Sequence, residues 1–112
     1  MRALDLHRLS SELHYLHATL LSAAGQQGEA INAARRALYL DRHYAMAYLQ
    51  LGDALAQEGD VERATRAFEN VEAALASVAD DVAVPGADGV PASRLRHVAA
   101  RWLRALREEG AA

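Results

Sequence analysis

Residues 48–68 read YLQLGDALAQEGDVERATRAF, and the order of large and small side chains in this stretch decides the fold. Tyr48, Leu51, Gly52 and Leu55 recur at helical spacing, Gly59-Asp60 marks a turn, and Ala64 and Phe68 share one face of a second helix. Small residues at 52 and 64 let two antiparallel helices approach closely, while Tyr48, Leu51, Leu55 and Phe68 fill the space around them. Such a hairpin leaves an apolar face that only a neighbouring hairpin can cover. The stretch therefore predicts a stacked helical array.

A copy lies upstream. Shifting the chain by 34 residues places Ala18 on Gly52, Leu21 on Leu55, Gly25 on Gly59, Ala30 on Ala64 and Ala37 on Val71. The second copy resembles the tetratricopeptide pattern of W-x2-L-G-x2-Y followed by A-x3-F, with Tyr48 and Leu55 in place of the Trp and Tyr. The first copy, 11–44, keeps small residues at 18, 30 and 37 and closes on Ala37-Leu38-Tyr39-Leu40-Asp41-Arg42, similar to the family's A-L-x-L-D-P ending with Arg42 for the proline. The expected fold class is all-α, a helix-turn-helix solenoid of about two complete repeats.

Residues 3–8 align with 37–42 under the same shift and read as the tail of an earlier repeat, with the natural protein continuing upstream. The organisation expected is a remnant at 1–10, repeats at 11–44 and 45–79, an acidic Pro/Gly loop at 80–91 and a terminal capping helix at 92–108. Helices are predicted over about 11–24, with Ser10 as N-cap, then 28–40, 44–57, 61–78 and 92–107. In the last of these Leu95, Val98, Trp102 and Leu106 form the apolar stripe. Two repeats are fewer than the roughly three usually needed for stability, and the open upstream face admits a homodimer.

Composition narrows the function. A net charge of −3 argues against nucleic acid as the main partner, because neutralising phosphates requires a basic field. The absence of cysteine excludes disulfides and thiolate metal sites and is compatible with a reducing cytoplasm. No apolar run approaches the roughly 18 residues of a membrane span, and the first residues, Met1 to Asp5, lack the basic-then-apolar layout of a signal peptide. A soluble, cytoplasmic protein without membrane contact is expected.

Three segments go beyond the generic repeat: Leu13-His14-Tyr15-Leu16-His17-Ala18, Ala37-Leu38-Tyr39-Leu40-Asp41, and Val84-Pro85-Gly86-Ala87-Asp88-Gly89 leading into Ser93-Arg94-Leu95-Arg96. Together they are similar to the repeat domain that follows the catalytic domain in some CheR-type chemotaxis methyltransferases. The resemblance implies a bacterial signalling role in which this domain modulates methylation of chemoreceptor glutamates, docking a receptor segment or its own methyltransferase domain. S-adenosylmethionine would belong to that catalytic domain alone. No nucleotide-binding Gly-rich loop occurs in this chain, so no cofactor and no catalytic residue is expected in it. Departures are Arg42 for proline and Val90-Pro91 before the last helix, where Ser93 would take the capping role. The same motifs permit a free-standing repeat adaptor unrelated to chemotaxis.

The binding surface of such repeats is the concave face built by the first helix of each hairpin. In this register it exposes Glu12, Tyr15, Thr19 and Ser22 from the first repeat and Leu49, Gln50, Asp53 and Gln57 from the second. His14 and His17 could offer two imidazoles to a metal, but no third ligand follows at suitable spacing, and the repeat pattern assigns both to packing. Trp102 is assigned to the core by its phase with Leu95, Val98 and Leu106. Arg94, Arg101, Arg104 and Arg107 read as a solvated face balanced by Asp80, Asp81 and Asp88.

Overall fold

The computed structural model describes residues 3–111. Five helices follow one another: α1 (Ala3–Ala23), α2 (Gln27–Leu40), α3 (Ala45–Gln57), α4 (Val61–Leu75) and α5 (Ala92–Ala111). Each packs against its sequence neighbour, and α1 also touches α3, so the layers stack in chain order as an all-α repeat array.

The two hairpin turns show the 34-residue period in their backbone. Gly25 and Gly59 adopt φ of +81° and +82°. After each, the next N–H reaches back five residues, Gln26 to the Leu21 carbonyl and Asp60 to the Leu55 carbonyl, both at 2.9 Å. This is the glycine-dependent Schellman closure, which satisfies carbonyls at the end of a helix. Asp60 then caps α4 by accepting the Arg63 N–H at 3.1 Å.

Close packing follows the small residues. A Cβ on Gly52 would stand 2.7–2.9 Å from the Phe68 ring, so the absent side chain is what admits Phe68 between α3 and α4. Phe68 is fully buried and stacks on Trp102 of α5, with centroids 4.9 Å apart and planes 12° apart.

Several boundaries differ from the sequence expectation. Residues 3–10 are continuous with α1, and Ser10 lies inside the helix instead of capping it. The reason lies in the equivalent turn of the second repeat. There the Asp41 carboxylate accepts the His43 N–H at 3.1 Å and ends α2, whereas position 7 is His, and nothing in the sequence breaks the helix at that point. Helix α4 ends at Leu75, short of Val78, and α5 runs on to Ala111.

The segment between α4 and α5 is more than a connector. Val84 and Ala87 are buried in a cluster with Ala45, Val71, Leu75, Leu95 and Ala99. An isolated antiparallel bridge between Ala83 and Pro91 closes the loop on itself. The start of α5 is held by this loop and not by Ser93, which lies within the first turn. Carbonyls of Val82 and Asp80 accept the N–H groups of Ala92 and Ser93 at 2.9 and 3.1 Å.

Arg96 completes the corner. Its guanidinium donates to the Leu75 and Val78 carbonyls at 2.8 and 3.0 Å and to the Asp80 carboxylate, so one cation neutralises the negative end of α4 and anchors the loop. The buried face of α5 is Leu95, Ala99, Leu103 and Leu106; Val98 and Trp102 of the predicted stripe lie half-buried at its edge.

Candidate functional site: a cleft between α3 and α5

Met46, Leu49, Gln50 and Asp53 of α3 stand beside Trp102 of α5, and Leu49 also packs against the cluster around Phe68. With Tyr15 of α1 they line a cleft of about 220 Å³. One face of Trp102 is fixed by its stack on Phe68, and the indole remains half-exposed toward this cleft and toward a second hollow beside Val98, Arg101 and Ala105. The expected core tryptophan is therefore only partly core. Its helical phase specified the face of α5 but not how far α5 overhangs α3.

The eight concave-face residues separate into groups. Tyr15, Leu49, Gln50 and Asp53 meet in the cleft, and Gln57 lies one turn beyond Asp53, its amide 3.5 Å from the Asp53 carboxylate. Glu12 borders a different cavity, of about 480 Å³, together with Arg8, Asp41, His43, Tyr44 and Val84. Thr19 donates to the Leu16 carbonyl at 2.7 Å, and Ser22 is engaged with Gln27 at the hairpin turn. Those two hydroxyls are used within their own helix and turn.

Tyr15 is not an exposed groove residue, as the repeat register had suggested. It is 8 % accessible because the Pro-Gly loop folds over it. Gly86 has φ +81°, and the point its Cβ would occupy is 2.6 Å from the Tyr44 hydroxyl and 3.4 Å from the Tyr15 ring, so no side chain fits there. Tyr15 and Tyr44 themselves pack with centroids 5.3 Å apart. Burial raises the Tyr15 phenol, aided by the Asp88 carboxylate. Burial also pushes Tyr44 up to about 12, with Glu12, Tyr15 and Asp41 adding to it. The loop thus covers Tyr15, while Glu12, Thr19 and Ser22 of the first repeat stay half-buried, as do Leu49, Gln50 and Asp53 of the second.

The cleft is amphipathic. Leu49, Met46 and the indole offer an apolar floor, Asp53 offers a carboxylate, and the Gln50 amide nitrogen is enclosed without a hydrogen-bond partner. A buried donor left in this state gains from any acceptor that reaches it.

His17 is exposed and His14 half-buried, in contrast to the packing roles expected of them. Their counterparts one repeat later are Leu51 and Tyr48, and Leu51 packs against Ala33 and Ala34 of α2. No described helix precedes α1 to receive His17 in the same way. Among the described residues no group of three His, Cys, Asp or Glu side chains is placed to hold a metal ion, and no helix is long and apolar enough to cross a membrane.

A family model for the tetratricopeptide repeat matches residues 11–44 and 45–72, more than half of the chain. The chain belongs to the tetratricopeptide-repeat family. No curated protein matches it at a significant level. Repeats of this family generally mediate protein–protein interactions.

Proposed function

We propose that this chain is a docking module whose α3–α5 cleft takes a short helical or extended protein segment, and that it acts as the regulatory domain of a chemoreceptor glutamate methyltransferase. The observation that carries the docking reading is the amphipathic cleft: an apolar anchor on the partner enters between Leu49 and Trp102, its backbone or a polar side chain meets Gln50, and a basic group pairs with Asp53. The chemotaxis reading rests on the resemblance of the Pro-Gly-Ala-Asp-Gly loop and the arginine-bearing last helix, together with the structural part both play. The partner would be a receptor segment or the methyltransferase domain itself, acting in the cytoplasm, with S-adenosylmethionine held in that other domain.

Trp102 is the sole tryptophan, so the cleft carries its own reporter. Titration with a chemoreceptor tail peptide, and separately with a CheR-type methyltransferase domain, is expected to change its fluorescence. Asp53→Arg is expected to weaken binding by at least about tenfold, equivalent to about 1.4 kcal/mol. Binding that leaves the indole unchanged and tolerates Asp53→Arg would rule out the cleft. Loss of both chemotaxis partners with retention of another protein would leave a repeat adaptor of different pathway.

A further inference from the structure

Helix α1 carries Leu6, Leu9, Leu13, Leu16 and Leu20, which are 51 %, 45 %, 58 %, 52 % and 70 % exposed. Their spacing alternates three and four residues, the a/d pattern of a coiled-coil seam, with 6, 13 and 20 at one position and 9 and 16 at the other. The face of α1 that packs inward is a different one, carrying the buried Ser11, Tyr15 and Ala18. We propose that the leucine face is a homodimer interface, covered by the α1 seam of a second copy.

Three observations select a second copy as the occupant. The first is the comparison with α3. The 34-residue shift puts Leu13 and Leu20 on Ala47 and Ala54, which are fully buried; Ala47 packs with Ala37 of the preceding helix. A preceding repeat docking on α1 in the manner of α2 on α3 would need small residues at 13 and 20, where this sequence places leucines. Their bulk suits knobs-into-holes packing at the wider spacing of a coiled coil.

The second is self-complementarity. An unbroken leucine seam over four turns matches a two-fold copy of itself layer by layer and includes no charged residue within it. The third is area. The exposed leucine surface is on the order of 500 Å² per protomer, so two copies burying it reach about 1,000 Å², the size at which specific interfaces begin. A contiguous apolar patch of the single-protomer size falls at the upper part of the range found for the largest patches on monomers, which are often interaction sites.

The test is sedimentation equilibrium of the chain from micromolar to millimolar concentration. The expected mass is twice that of one chain, and Leu13→Glu or Leu20→Glu is expected to weaken association by at least about tenfold. Both positions are exposed, so helical circular dichroism and the melting of the diluted protein should be unchanged. Because the chain has no cysteine, single Leu13→Cys and Leu16→Cys variants give an independent readout under mild oxidation: a covalent dimer from either supports the seam. A wild-type mass other than the dimer's, or a dimer that survives both glutamate substitutions, overturns the proposal. Asp53→Arg should leave the dimer intact, which separates this interface from the cleft.

Discussion

At the crossing of α1 with α2 the chain has Ala18 and Ala34, and at the equivalent crossing of α3 with α4, 34 residues later, it has Gly52 and Phe68. All four are buried. The first pair divides the space evenly between two methyl groups. The second removes one side chain completely and fills the room with an aromatic ring, whose far side then supports Trp102. The repeats thus share a backbone and differ in what they pass on: only the second hands an aromatic contact to α5. The cleft is lined mainly by the second repeat and by the Trp102 indole, with Tyr15 of the first at its edge, and Tyr15 and Tyr44 also seat the Pro-Gly loop.

Substitutions can break this difference. Phe68→Ala should have the largest effect, about 3–5 kcal/mol of stability by chemical denaturation, because it leaves a cavity and removes the base of the indole stack. Trp102 fluorescence should shift toward a water-exposed indole in the same variant. Arg96→Ala should cost about 2 kcal/mol, since two carbonyls and the Asp80 carboxylate lose a charged donor at once. Hydrogen exchange at the amides of Ala92 and Ser93 should accelerate with it.

Gly52→Ala pits a helix-propensity gain of about 1 kcal/mol against a Cβ under 3 Å from a ring that cannot move freely, and a net loss of about 1–2 kcal/mol is expected. Ala18→Gly should cost about 1 kcal/mol for the opposite reason, since it removes a methyl the first crossing uses. A stabilised Gly52→Ala variant would show that Phe68 repacks easily and would weaken the contrast between the repeats.

Tyr44→Phe is the smallest and sharpens the comparison by pH. The folded-state value of Tyr44 lies above that of a free phenol, about 10, so its contribution is intact below pH 10. It is lost as the pH rises through about 12, when the phenolate forms and unfolding is favoured. Spectrophotometric titration should show a phenol ionising near pH 12 that disappears in Tyr44→Phe. Stability at neutral pH should change by less than about 1 kcal/mol, because the hydroxyl has no hydrogen-bond partner to lose.

Much of this was legible in the residues. The 34-residue period located both hairpins and their glycines, because close helix approach and left-handed turns each demand a particular residue size. The concave face was readable as a register, and half of its members do meet in one cleft. What escaped was everything set by the segment after α4. Periodicity describes one element at a time, and Tyr15 looked exposed because its cover, the loop around Gly86, comes some 70 residues later with no pattern that points back to it. Arg96 likewise stood in the sequence only as part of the segment Ser93-Arg94-Leu95-Arg96, with no role attached to it. Its three acceptors are contributed by residues 75, 78 and 80, which only the folded loop gathers.

The sequence by itself determined that the chain makes repeated antiparallel hairpins, where they turn and which small residues sit at their crossings, since these follow from local spacing and side-chain volume. It also carried the leucine alternation of α1 in plain view. Only the tertiary structure decided which apolar faces were left uncovered. Exposure depends on what else arrives at a surface, and in this protein the loop arrives at the first repeat's concave face, α5 at the edge of the second's, and no described element at the leucines of α1.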